Sequence, residues 1–310
     1  MRVLIAGSGG VGGYLGAKLQ KGGAEVALLA RGKHLQAIKE NGLKIIEPDS
    51  SWSIKPDLAG DDPTSWGHFD LIILSTKHPH LAKILKQIEP IIDRDTKILP
   101  ILNGVDHEEC IAQKLPNADI LYGCIYIISH IKEAGVIEKK SDLFKLCWGK
   151  PNKFDISKYN NIKELFDKSG LRHRPTSDIN RQKWLKYLFI APMAMLTTYY
   201  GVSMDRVHIE HKLELQKLLN EIKEVAEKKR IKIDKDDLKN TLNQASKVPK
   251  GAKTSMQLDF DKKIASEIEA LCGHILREAQ KNDINTPTTQ KLYSALRAKD
   301  ICSSSQPLCG

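Results

Sequence analysis

Near the N-terminus, Gly7-Ser8-Gly9-Gly10-Val11-Gly12-Gly13 places glycine at positions 7, 9 and 12. This is the G-x-G-x-x-G spacing with which a strand–turn–helix holds the pyrophosphate of a dinucleotide. The first glycine permits a tight turn, the second lets phosphate oxygens approach the main chain, and the third lets the helix sit close on its sheet. Gly7, Ser8, Gly9, Gly10, Val11 and Gly12 are therefore candidate cofactor-binding residues. The N–H groups at the start of the helix add a positive dipole end. Downstream stands Ala30-Arg31-Gly32-Lys33, where an NAD site would place an acid for the ribose 2′-OH. Arg31 offers paired hydrogen bonds to a 2′-phosphate, and Lys33 adds charge. The expected cofactor is thus NADP(H); the other reading of Arg31 is an ordinary charged residue at a helix start.

The turn requires a strand before it and a helix and strand after it. Met1 to Ala6 reads MRVLIA, a helical pattern follows through Leu19, and Val26 to Ala30 is again apolar. Asp70 to Leu74 reads DLIIL, a run suited to a strand buried on both faces. It delivers Lys77, just as the strand Lys97 to Ile101 delivers Asn103. Ligands of open α/β sheets bind at the carboxyl ends of the strands, so both are candidates to reach the cofactor, and Asn103 also to reach the substrate. By position alone Lys77 is equally a surface lysine opening a helix, and Asn103-Gly104 an ordinary turn. The apolar segments between Ile120 and Trp148 suggest that the sheet continues with antiparallel strands at its edge. From Asp178 the pattern is helical almost to the end, with segments at 178–197, 210–229, 236–246, 263–281 and 286–298. The expected fold is α/β: an N-terminal Rossmann-type dinucleotide-binding domain over 1–175, followed by an all-α substrate and catalytic domain over 176–310.

The 310 residues suffice for two domains, and 41% hydrophobic with 28% charged residues is a soluble, globular composition. Tyr187 to Tyr200 is the longest apolar stretch, but it carries Pro192 and several polar residues, so no membrane span is expected. The N-terminus enters a strand directly, without a secretory signal pattern, which makes a cytoplasmic location the expectation. The net charge of +10 comes largely from lysines interspersed with acids between Lys223 and Lys253. No basic stripe is interleaved with aromatics, so no nucleic acid partner is expected. Such a field favours an anionic cofactor and substrate. The six cysteines form no CxxC and no zinc-like cluster with histidine, so no metal is expected. Cys110, Cys124, Cys147 and Cys272 read as buried free thiols, and Cys302 and Cys309 sit in a Ser-rich tail. The amphipathic segments of the helical half are compatible with a homodimer.

Two further pieces complete an ordered set: Trp184-Leu185-Lys186, and Thr254-Ser255-Met256 leading to Ser266-Glu267-Ile268. With the glycine turn, Arg31, Lys77, Leu102-Asn103-Gly104-Val105 and Asn285-Thr286-Pro287, the chain resembles the ketopantoate reductase (2-dehydropantoate 2-reductase) family over nearly its whole length. Leu102 stands where that family has Gln, and Thr254 and Ser266 are small hydroxyl variants of its pattern. The resemblance implies NADPH-dependent reduction of a small 2-keto acid, ketopantoate, in pantothenate biosynthesis. It implies Lys186 and Glu267 as catalytic residues, Glu267 either holding Lys186 in position or binding the product hydroxyl, and Asn103 and Ser255 as substrate-binding residues. In reducing a ketone, negative charge builds on the oxygen, and a lysine ammonium can both stabilise and protonate it.

One departure concerns specificity. Residues 186, 190 and 194 share a helix face, and the family pattern has Asn at the latter two positions, where this chain has Ile190 and Ala194. Removing two polar contacts suits a 2-keto acid with a more apolar side chain; the alternative is that Pro192 shifts the register and Thr197 or Thr198 supplies the contacts. A non-catalytic NADP-binding sensor is a third reading, although it would need neither Lys186 nor Glu267.

Overall fold

The computed structural model describes residues 1–300. They divide into two compact units: Met1–Leu102 with His107–Ile179, and Asn103–Asp106 with the chain from Asn180 onward.

The first unit opens with β1 (Arg2–Ala6), α1 (Gly10–Lys21), β2 (Glu25–Leu29) and α2 (Gly32–Asn41), followed by β3 (Leu43–Glu47), β4 (Ser50–Ile54), β5 (Leu58–Gly60) and β6 (Leu71–Leu74). Next come α3 (Leu81–Ile88), β7 (Lys97–Pro100), α4 (His107–Lys114) and β8 (Asp119–Ile120). Six strands form one sheet in the order β5-β2-β1-β6-β7-β8, and every neighbouring pair is parallel. The chain leaves β1 for β2 on one side and returns through β6 on the other. The order therefore reverses between β1 and β6, the switch point at which such sheets bind nucleotides. Val3, Ile5, Val26, Leu28, Leu71 and Ile73 are fully buried, as continuous apolar runs covered on both faces must be.

The expectation that this sheet continues past β8 needs correcting. β9 (Tyr122–Glu133) and β10 (Val136–Gly149) form a long antiparallel hairpin that belongs to a second sheet, ordered β11-β10-β3-β4 with β9 paired to β10. Here β11 is His173–Pro175, preceded by α5 (Asn160–Lys168). β10 alternates in burial over part of its length, whereas β9 passes from a buried start to an exposed end, as suits a sheet with one wetter face. They are also far longer than the short parallel edge strand β8. Cys124 and Cys147, cross-strand neighbours in this hairpin, are buried thiols outside any disulfide, as is Cys272. Cys110 is buried but disulfide-bonded, since burial alone does not keep a thiol reduced. Cys302 and Cys309 lie outside the described residues.

The second unit is helical: α6 (Ile179–Tyr200), α7 (Met204–Glu210), α8 (Lys212–Lys228), α9 (Lys235–Ala245), α10 (Ser255–Asp261), α11 (His274–Lys281) and α12 (Pro287–Lys299). The helix expected over 263–281 begins only at Ile268, and its first part, Glu269–Gly273, is a π-turn. α6 runs unbroken through Pro192. No described helix is long and apolar enough to cross a membrane.

The glycines of the first turn have distinct tasks. Gly7 has φ +107°, and a Cβ there would stand 2.8 Å from the Thr76 nitrogen. A Cβ on Gly12 would stand 2.3 Å from the Gly7 carbonyl oxygen and 2.9 Å from Ile5. A Cβ on Gly9 would meet nothing within 4 Å, so the openness at Gly9 leaves room for a ligand. Gly12→Ala should therefore lower unfolding stability by about 1–3 kcal/mol, the usual cost of overpacking, whereas Gly9→Ala should unfold like the parent and lose nucleotide affinity. Thermal unfolding with and without dinucleotide separates the two effects.

Candidate functional sites

In the first unit the nucleotide turn is built on β1. Gly9 is the N-cap of α1, without a capping side chain, and the first turn carries no acid. The N–H groups of that turn are thus left to a ligand anion. Ser8 is spent on structure: its backbone nitrogen and its hydroxyl both donate to the Leu29 carbonyl at 3.1 Å. Ser75 Oγ donates to the Gly7 carbonyl at 2.8 Å. His34, which sequence reasoning did not single out, accepts from Gly135 N at Nδ1 (3.0 Å) and so donates from Nε2 to the Ser8 carbonyl (3.0 Å). Burial holds His34 below the usual histidine range, in keeping with this neutral tautomer. Gly10 packs against the hairpin, since a Cβ there would lie 2.6 Å from the His130 Cα. Val11 is half-buried against the first core.

Arg31 is the N-cap of α2 and is exposed. Lys77 precedes the single 3-10 turn His78–His80 that follows β6. Because β2 and β6 flank β1, the segments carrying Arg31 and Lys77 leave the sheet on either side of the glycine turn.

The second unit holds the other candidates. Lys186 Nζ donates to Asn103 Oδ1 at 2.9 Å, and Asn103 Nδ2 donates to Glu267 Oε2 at 2.9 Å. Ammonium, amide and carboxylate thus form one chain, although their residues lie far apart in sequence. Asn103–Asp106 is fixed at its other end as well: His274 Nδ1 lies 3.0 Å and Arg277 Nη2 3.7 Å from Asp106 Oδ2. Arg277 also binds Glu269 Oε2 at 2.9 Å, and Tyr293 donates to Glu269 Oε1 at 2.7 Å. Burial and that bond push the Tyr293 phenol up to about 12. Tyr187 donates to the carbonyls of Ala270 and Leu271 in the π-turn, and burial raises its pKa far above the usual range. Trp184 packs edge-on against Tyr187 and is buried, so it anchors the helix that carries Lys186.

Asp106, Glu269, His274 and Arg277 were missed by sequence reasoning, because nothing in the local sequence links the two segments that carry them. Ser255 is exposed at the first position of α10 and is not part of this hydrogen-bonded chain; the neighbouring Thr254 side chain caps the helix. Ile190 is half-buried and Ala194 is buried in the helical core. Thr197 Oγ1 donates to the Met193 carbonyl and lies 2.8 Å from Thr254 Oγ1. Thr198 Oγ1 is buried and has no hydrogen-bond partner among the described residues.

Comparison with known proteins agrees with both halves. Residues 3–151 match the family model described as Ketopantoate reductase PanE/ApbA, and residues 178–300 match that of Ketopantoate reductase PanE/ApbA C terminal. An uncharacterized oxidoreductase of Bacillus subtilis (strain 168) is 27% identical, covering 96% of this chain and 98% of its own. The crystal structure of 2-dehydropantoate 2-reductase from Porphyromonas gingivalis W83 is similar, with TM-score 0.83 and 28% identity over 96% of this chain and 99% of that one. A ternary structure of D-mandelate dehydrogenase with NADH and anilino(oxo)acetate gives TM-score 0.88 and 25% identity over 97% of this chain and 98% of that one. With a nucleotide turn at the switch point of a parallel sheet, a helical second unit and family matches across both, the chain belongs to the ketopantoate reductase PanE/ApbA family of NAD(P)-dependent oxidoreductases.

Proposed function

We propose that the chain reduces 2-dehydropantoate (ketopantoate) to pantoate with NADPH, as a step of pantothenate biosynthesis. The observation that carries the reading is the Lys186–Asn103–Glu267 chain. A reduced nicotinamide, when bound, supplies the hydride to the ketone carbon. What falls to the protein is the oxygen, which gains negative charge as the carbonyl is lost. Lys186 meets that charge with an ammonium N–H and delivers the proton that makes the hydroxyl. Asn103 holds the ammonium in place through a neutral carbonyl oxygen. Glu267 fixes the amide and supports the positive charge of Lys186. Ser255 and Asn103 are the residues proposed to orient the substrate.

The turn at Gly7–Gly12 fits a dinucleotide, because Gly9 is open and the α1 N-terminus is uncapped. Arg31 and Lys77 are the residues proposed to select the phosphorylated form. A second reading keeps the chemistry and changes the substrate to a 2-keto acid with a more apolar side chain. Ile190 and Ala194 favour it, since both pack in or against the helical core and neither offers a polar group. The similarity to D-mandelate dehydrogenase supports the same direction.

The test is loss of reduced nicotinamide absorbance with ketopantoate, pyruvate and 2-oxoisovalerate as separate substrates. Turnover of ketopantoate in preference to the other two is the expected result; turnover of the simpler acids alone establishes the second reading. In the same assay Lys186→Ala should lower kcat at least ~100-fold, the scale of one acid–base or oxyanion-stabilising group. An unchanged kcat removes Lys186 from the mechanism.

A further inference from the structure

The side chain of Arg31 is not directed into open solvent alone. Its Nη2 lies 3.2 Å from His80 Nε2. A guanidinium can only donate, so Nε2 is the acceptor, and the imidazole is neutral with its proton on Nδ1. The two residues reach one another from different elements: Arg31 from the end of β2, and His80 from the 3-10 turn after β6. That turn is held by the His80 N–H donating to the Lys77 carbonyl at 2.9 Å. Burial, then Arg31, Lys77 and Lys83, hold His80 below the usual histidine range. The charges acting on it are thus cations, one from the segment after β2 and two from its own segment. Such a group is kept neutral by neighbours that an arriving anion would neutralise.

We infer that His80 is a specificity-determining residue of the 2′-phosphate site, taking up a proton as the phosphate binds and joining Arg31 as a second cation around it. The inference rests on the NADPH reading above and adds a residue and a proton to it. Without the phosphate, His80 is the acceptor for Arg31. With a dianionic phosphate beside both, Arg31 turns its N–H groups to phosphate oxygens, and the protonated imidazole donates to the same group. NADH carries no group at that position and draws no proton.

The sign follows from the linkage. Bound phosphate raises the His80 pKa, so binding takes up a proton between the free and bound values. Preference for NADPH is therefore fully present at low pH and is lost as pH rises through the bound value. Below pH about 6 the phosphate itself protonates, so the window lies above that.

The experiment is the ratio of dissociation constants for NADH and NADPH, measured by fluorescence titration of the full chain. It is followed from pH about 6.5 to about 8.5, the range in which a histidine changes charge, for the parent, His80→Gln and Arg31→Ala. The parent ratio should fall about tenfold across the window, as loss of one charged hydrogen bond allows. In His80→Gln, which keeps polar atoms but cannot titrate, the ratio should be flat and already lowered at the acid end. A parent preference that Arg31→Ala removes, but whose size and pH slope His80→Gln leaves unchanged, overturns the inference and leaves the NADPH reading standing. Equal binding of NADH and NADPH by the parent overturns both.

Discussion

The amide of Asn103 stands between a group that can only donate and a group that can only accept. An ammonium has no acceptor and a carboxylate has no donor, so the amide has one orientation, with Oδ1 toward Lys186 and Nδ2 toward Glu267. The amide fixes the ammonium on one side and the carboxylate on the other. Much of the second unit serves this arrangement. Asp106 is clamped by His274 and Arg277, and Gly104 packs on Ala270, where a Cβ would make an ordinary 3.4 Å contact. The π-turn lies between Glu267, whose carboxylate accepts from Asn103, and His274, whose imidazole holds Asp106. π-turns inside helices recur at functional sites, and here the distortion is secured by Tyr187, which caps two of its carbonyls.

The first unit solves a different problem, the approach of an anion to backbone. Its helix begins without a capping side chain or acid, which would be a deficiency unless a ligand supplied the acceptors. The glycines divide accordingly. Gly7, Gly10 and Gly12 are required by neighbouring protein atoms, and Gly9 is required by none.

What the sequence displayed most clearly was whatever is local. Strand, glycine turn and helix lie within twenty-one residues, so their periodicities could be read directly, as could the apolar runs of β6 and β7. The second sheet was not legible, because β10 pairs with β3 from some ninety residues earlier, and alternation reveals a strand but not its partner. The helix expected over 263–281 starts later because Lys263 adopts φ 54°, a left-handed break that its sequence context does not advertise. The site shows the same division. Lys186, Asn103 and Glu267 could be picked out by their ordered resemblance to a family, and their hydrogen-bonded chain is seen only in three dimensions. The Asp106–His274 and Glu269–Arg277 contacts join residues whose local patterns are those of an ordinary loop and of ordinary helix surface and core.

The central claim is that Glu267 acts on Lys186 through Asn103. It is tested most directly by a double-mutant cycle on kcat with Asn103→Ala, Glu267→Gln and the pair. If the carboxylate works through the amide, removing its charge costs about tenfold or more in the parent and almost nothing once Asn103 is gone, the non-additivity of residues acting as a unit. Additive losses would contradict the account, because Glu267 would then contribute by a route that does not pass through Asn103.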